Sequence, residues 1–220
     1  ITADERSSVT IMPMFPHETP ATTGAVHRRI QRIVDQLDFA LSIQWISAFF
    51  GTEWFLKAFA RKIVSHTPAN FDRIIFSFHG LPLKQVNQAH PGKTCIDLDC
   101  HQGAPASGLR CYTKDCYQTA HLLSKELNLL PEQVFVSFQS RFGRNWTSPH
   151  TSDVLNDFAE EGLSVLLVSP SFTADCLETS WEIGISFHDE FLKSGGKKFE
   201  WVQSLNADAD WAEAISIGIR

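Results

Sequence analysis

Two patterns of apolar residues alternate along the chain. Five short and nearly continuous runs, VTIMP (Val9–Pro13), RIIFSF (Arg73–Phe78), QVFVSF (Gln133–Phe138), SVLLVS (Ser164–Ser169) and FEWVQS (Phe199–Ser204), predict strands. Between them, AVHRRIQRIVDQL, EWFLKAFARKIV, YQTAHLLSKEL, SDVLNDFAEE and WEIGISFHDEFLKS carry apolar residues three and four apart, the spacing of helices with one buried face. Strands and helices in alternation predict an α/β fold, doubly wound, with parallel sheets flanked by helices. Ligands of such sheets bind beyond the carboxyl ends of the strands. The residues there are chemically rich: HGLP from His79, QSRFGRNW from Gln139 and PSFTADCLETSWE from Pro170. Three polar and aromatic loops are therefore expected to converge on one rim.

Composition narrows the class. With 220 residues, 43% of them hydrophobic and 20% charged, the chain can bury a sizeable core, and disordered, collagenous and coiled-coil classes are excluded. A formal net charge of -6 and the lack of any lysine-arginine run argue against a nucleic-acid partner. The longest apolar stretches, such as LSVLLVSPSF (Leu163–Phe172), are too short to cross a bilayer, which leaves peripheral membrane contact open. No secretory signal precedes the first strand, so the cytoplasm is the expected compartment; without an initiating Met, the natural start is expected to lie further upstream. Neither a Gly-x-Gly-x-x-Gly nor a Walker loop is present, so no nucleotide is expected.

Three features carry chemistry. His79 ends a strand and precedes Gly-Leu-Pro, a turn that cannot continue into helix, so its imidazole is held in place; the plain alternative is a histidine bonded to neighbouring backbone. Glu178 follows Asp175 by three positions, which reads as a helix capping box, and Glu182 lies one turn on, where two like charges repel unless a cation sits between them. The third feature is a crowd of thiols, Cys95, Cys100, Cys111 and Cys116, spaced C-x4-C-x10-C-x4-C. Cys95, Cys100 and Cys111 occupy a strand-to-helix connection, Pro82 to Tyr112, far longer than the usual link of about 2–6 residues, and Cys116 follows at the start of the next helix. Zinc, an iron-sulfur cluster and disulfides all use such sets; with an adequate core and no secretory signal, the spacing favours metal without choosing between zinc and a cluster.

The stretches FSFHGLP (Phe76–Pro82), YTKDCYQTA (Tyr112–Ala120), FQSRFG (Phe138–Gly143), PSFTADCLETSWEI (Pro170–Ile183) and SLNADADWAEAI (Ser204–Ile215) occur here in the order seen in ferrochelatases, and IMPMFPHETPATTGAV (Ile11–Val26) extends the resemblance towards the amino end. The resemblance covers essentially the whole chain. It implies an enzyme, a lyase of haem biosynthesis, that inserts substrate Fe²⁺ into protoporphyrin or a related porphyrin. It also implies a chelatase-like, two-lobed architecture with the macrocycle clamped between the lobes. On it, 1–66 is the remainder of an incomplete amino-terminal lobe with linking helices, 67–206 the carboxyl-terminal lobe with an insertion at 83–111, and 207–220 a terminal helix.

The same resemblance assigns His79 and Glu178 as the residues that face the metal, with Glu182 as a further carboxylate, and makes Trp146, Phe142 and Phe172 plausible porphyrin walls. It shifts the cysteines towards a [2Fe-2S] cluster on Cys95, Cys100, Cys111 and Cys116, with zinc as the alternative; Cys176 is not needed. Metallation must remove two pyrrole protons and deliver a desolvated ion through the ring face, so a base and a carboxylate on rigid mounts suit it. The chain departs from the family in its shorter amino end, in Ser186 where the carboxylate run would continue, and in the insertion. Ser186 and the short amino end motivate a competing expectation, a non-catalytic iron-sulfur or haem-binding sensor on the same fold. Oligomeric state is not legible.

Overall fold

The computed structural model describes residues 8–38, 40–102 and 110–219. Its main sheet holds four parallel strands, β3 (Arg73–His79), β4 (Val134–Gln139), β5 (Ser164–Val168) and β6 (Lys198–Val202), in the order β4-β3-β5-β6. Here β3 and β5 are central and buried on both faces, and their side chains alternate between two cores. Ile74, Phe76, Phe78, Leu166 and Val168 face one core, which is packed by helices α2 (Glu53–Val64), α4 (Tyr112–Glu126) and α7 (Ala209–Gly218). Ile75, Val165 and Leu167 face the other, packed by α5 (Thr151–Glu160), a π-helix (Glu178–Phe187) and its continuation α6 (His188–Lys193). This is the doubly wound arrangement that the alternation predicts.

Polar positions on the inner strands are matched as carefully as the apolar ones. Ser77 and Ser137 lie side by side in the β3–β4 register and both meet the Thr151 hydroxyl, at 2.8 and 2.9 Å, so a buried polar seam runs to the strand ends without an unpaired hydroxyl.

Towards the amino end, β1 (Ser8–Ile11) pairs in parallel with β2 (Ser42–Trp45) across helix α1 (Thr23–Val34), forming a separate two-stranded sheet. The β2 strand is absent from the sequence-based expectation. Its four residues, SIQW, alternate exposed and half-buried and carry no continuous apolar run. Helix α4 begins at Tyr112, five residues before the apolar periodicity that predicts it. The stretch from Trp181 to Ser194, read as one ordinary helix, is wound as a π-helix for its first part and its helical course begins at Glu178. Thr179, Ile183 and Phe187 are buried at a constant spacing of four, which the wider turn of a π-helix keeps on one face. Among its described residues the insertion carries a short α-helix, α3 (Leu83–Val86), then turns and two single-turn 3₁₀ segments, Asn87–Ala89 and Cys100–Gln102; its residues 103–109 lie outside the described residues.

Candidate functional site

The three loops do converge. Gln139, at the end of β4, accepts the Ser77 hydroxyl on its side-chain oxygen at 2.7 Å and the Gly80 amide on its carbonyl at 2.7 Å, tying β4 to the turn that follows β3. A Cβ built on Gly80 would stand 2.6 Å from that carbonyl oxygen, so this position needs glycine. His79 is pinned along its own backbone: its amide donates to Ser171 Oγ at 3.1 Å, and its carbonyl accepts the Tyr112 hydroxyl at 2.7 Å. Strand, loop and helix thus fix one imidazole.

The ring is fixed too. His79 Nδ1 lies 2.7 Å from the Gly80 carbonyl oxygen, which can only accept, so Nδ1 carries the proton and the Nε2 lone pair is left for chemistry. A cavity of about 500 Å³ opens on this side, lined by His79, Glu178, Phe172 and Cys176 from the strand ends and by Met14, Phe15 and His17 from the segment after β1. Its size suits a small organic ligand. Glu178 stands at the start of the π-helix, where the helix dipole favours a negative charge. The Cys176 thiol hydrogen-bonds to the carboxylate and, with its own backbone amide and the His79 ring, holds its pKa below the usual glutamate value.

The expected capping box does not form. Asp175 instead receives the Ser204 amide at 2.9 Å and the Asn206 side-chain amide at 2.7 Å, binding the start of this segment to the end of β6. The Cys176 amide is met by Thr179 Oγ1, at 2.9 Å. Glu178 is therefore free of a capping duty.

His17 faces the same cavity with opposite chemistry. Thr119 donates its hydroxyl proton to the Asp115 carbonyl at 2.8 Å, so its oxygen accepts from His17 Nε2, also at 2.8 Å. The ring is held neutral with its proton inward, stacked on Phe50, and burial lowers its pKa to about 3. His17 is a wall, whereas His79 offers a lone pair.

Of the other candidate metal and porphyrin residues, Phe172 lines the cavity, whereas Glu182, Trp146 and Phe142 lie elsewhere. Glu182 does not line the cavity; both its oxygens are taken by Ser140, one by the amide at 2.8 Å and one by the hydroxyl at 2.6 Å. Ser140 has a φ of 58°, and this double bond holds the left-handed turn after β4. Phe172 does line the cavity, its ring centroid 6.0 Å from that of His79. Trp146 and Phe142 pair with each other at 5.8 Å outside it; Phe142 is largely exposed, and Trp146 packs behind Gly80. Tyr112, Ser171 and His17 were missed as site residues although each stands inside or beside a motif already quoted; what they contribute is contact across the fold, which spacing does not encode.

The insertion builds a second cluster. His90, Cys95, Cys100 and Cys111 are all buried, with one donor atom from each lying within 4.8 Å of the others, a group able to hold a metal ion. Cys95 Sγ stands 3.3 Å from Cys111 Sγ, and Cys100 Sγ 3.4 Å from His90 Nε2. A hydrogen bond from Cys95 pulls the Cys111 thiol down to about 5, and the same bond pushes Cys95 up. Cys116 is not in this group: fully buried, it packs in the core beside Tyr112.

A parallel sheet wrapped by helices is the fold that this chain shares with solved chelatases. The solved sirohydrochlorin chelatase SirB of Bacillus subtilis subspecies spizizenii, in complex with cobalt, superposes with a TM-score of 0.58 at 11% identity over 98% of this chain and 69% of that one. CbiX, described as the terminal enzyme for biosynthesis of sirohaem in denitrifying bacteria, gives 0.54 at 11% identity over 98% and 76%. At that identity the likeness is one of fold. The family model for ferrochelatase matches residues 1–220, and the chain belongs to the ferrochelatase family. Similar relatives include the ferrochelatases of Ectopseudomonas mendocina, 34% identical over 95% of this chain, and Azotobacter vinelandii, 35% identical over 94%. The chain spans 63% of the length of each. Among the described residues no helix is long and apolar enough to cross a membrane.

Proposed function

We propose that this chain carries the metal-inserting site of a ferrochelatase, acting on Fe²⁺ and protoporphyrin or a related porphyrin. The observation that carries the reading is the pairing of a tautomer-locked His79, its Nε2 lone pair free, with an ionised Glu178 across one cavity. In this reading His79 takes protons from the pyrrole nitrogens as the ion enters, and Glu178 holds or guides the cation at the moment it loses water. The tautomer matters because an imidazole protonated at Nε2 could neither accept a proton nor donate a lone pair there. Phe15, Met14 and Phe172 supply apolar surface for a macrocycle, and ruffling of the ring would draw on that binding energy. Ordering of His79 by Ser171, Tyr112 and Gly80 means that little reorganisation is left for the reaction itself.

The test uses full-length protein under anaerobic conditions, with Fe²⁺ or Zn²⁺ and protoporphyrin, following metalloporphyrin by absorbance. Wild type is expected to turn over, and Glu178→Gln to bind porphyrin with little change while metallating far more slowly. Porphyrin binding without metallation, unaffected by His79→Ala, would instead support a sensor on the ferrochelatase fold.

A further inference from the structure

We propose that His90, Cys95, Cys100 and Cys111 form a mononuclear tetrahedral site for a thiophilic divalent cation of the zinc class, and that Cys116 takes no part in it. Zinc holds sulfur at about 2.3 Å and imidazole nitrogen at about 2.0–2.1 Å, so two donors on one tetrahedral ion stand about 3.5–3.8 Å apart. The contacts here, 3.3 Å between Cys95 and Cys111 and 3.4 Å between Cys100 and His90, are already close to that edge, and the whole set of donor atoms spans no more than 4.8 Å. One ion can be enclosed by small side-chain movements.

A four-cysteine [2Fe-2S] cluster does not fit these residues. Such a cluster divides its four protein ligands into two pairs, one on each iron, with sulfides between them, and so separates the pairs beyond the reach of a single ion's coordination sphere. The four donors found together are not so divided, and the fourth of them is a nitrogen. The remaining cysteine is turned away by helix geometry. Cys111 is the residue before α4 and Cys116 lies five positions on, about 140° around the helix at 3.6 residues per turn. That rotation puts Cys116 on the Tyr112 face, in the main core.

The cluster's packing also calls for an ion. Among the described residues its buried apolar set is Val86 with the three cysteines, and only Leu81 and Leu98 lean on it from the edge. The loop around it closes through short local bonds: the Cys95 amide to Asn87 Oδ1 at 3.1 Å, the Cys100 amide to the Cys95 carbonyl at 3.1 Å and the His90 amide to the Asn87 carbonyl at 2.9 Å. So little hydrocarbon gives such a loop little reason to bury three thiols and an imidazole, whereas metal binding becomes folding energy. Three thiolates and one imidazole, with all four positions filled by protein, make a closed structural site.

The experiment measures resident metal in full-length His79→Ala protein, in which the proposed substrate ligand is removed. After dialysis, elemental and acid-labile sulfide analysis are expected to give one zinc per chain and no sulfide. Replacement by Co²⁺ is expected to give the visible bands of a tetrahedral thiolate site. Adding His90→Ala or Cys100→Ser should weaken metal affinity roughly 100-fold or more, since loss of even a ligand's outer partner costs 10–100-fold. His90→Cys should restore binding, and Cys116→Ser should leave it unchanged. Two irons and two sulfides per chain, a spectrum bleached by Cys116→Ser, or a metal-free Cys95–Cys111 disulfide would each overturn the proposal. The stoichiometry and the Co²⁺ spectrum of the His79→Ala protein, its four thiol-cluster ligands intact, decide the matter even if a ligand variant fails to fold. None of these readouts depends on catalytic turnover.

Discussion

The cavity at the strand ends and the thiol cluster in the insertion both follow β3, but they are held in different ways. His79 is positioned by a central strand, by Ser171 and Tyr112 on its backbone and by Gly80 on its ring. The donors of the thiol cluster come from turns and from the residue before a helix, with one small apolar cluster beneath them. A site mounted on a packed sheet is rigid before any ligand arrives. One built from a loop relies on its ligand for order. The first can then present a free lone pair to a substrate, while the second suits a resident ion.

The largest expected effect separates the two regions most sharply. His79→Ala should slow metal insertion by about 10⁴-fold, the upper end for a positioned base, because the residue also offers the metal a lone pair. Metal content of the thiol cluster should not change. Loss of resident metal in that variant, measured by elemental analysis, would show that the two sites are one unit.

Stability should divide in the same way. Phe78 is fully buried in the main core, and Phe78→Ala should cost about 3–5 kcal/mol, the range for emptying a large core side chain. Val86, in the small cluster, should cost about 1.5–2 kcal/mol on truncation to Ala, two methyl groups at roughly 0.8 kcal/mol each with a small cavity added. Urea unfolding of the two variants, with metal held constant, gives the comparison. Equal losses would mean that the insertion is as much a part of the core as β3.

What could be read from the sequence follows the same division. The apolar runs of β3 and β5 announce themselves because both faces are buried, and His79 and Glu178 are conspicuous because they follow such runs. By contrast β2 is short and half-exposed and leaves no apolar signature. For the cysteines, spacing along the chain suggested a symmetric set of four, yet His90 joins through a turn and Cys116 leaves through helix rotation. Helical phase alone, applied to Cys111 and Cys116, would have separated those two. The partnership with His90 has no such linear trace. Nor does the duty of Glu182, which depends on a left-handed serine in another loop.

Glu182→Gln tests that duty. The amide can still accept one bond from Ser140, but the charge that strengthens both bonds is gone, and hydrogen bonds to a charged group contribute about 1.5–3 kcal/mol. A loss near 1–2 kcal/mol in urea unfolding is expected, with metallation slowed less than in Glu178→Gln. Abolished turnover with unchanged stability would return Glu182 to the metal's path.

A pH-dependent effect distinguishes the two histidines that share the cavity. Burial lowers the His17 pKa from 6.5 to about 3, so between those values the unfolded chain binds a proton that the folded chain refuses. Stability rises with pH wherever the unfolded state holds more protons. The contribution from His17 is therefore fully present above pH 6.5 and is lost as pH falls towards 3, at up to about 1.4 kcal/mol per pH unit. Acid release of metal from the insertion would add its own slope, so the quantity to measure is the difference between wild type and His17→Gln, by urea unfolding from pH 7.5 to 5. Wild type should lose about 2 kcal/mol more than the variant over that range. Parallel pH profiles would show that His17 takes up a proton in the folded protein, which its burial opposes because a charged ring there would be cut off from water.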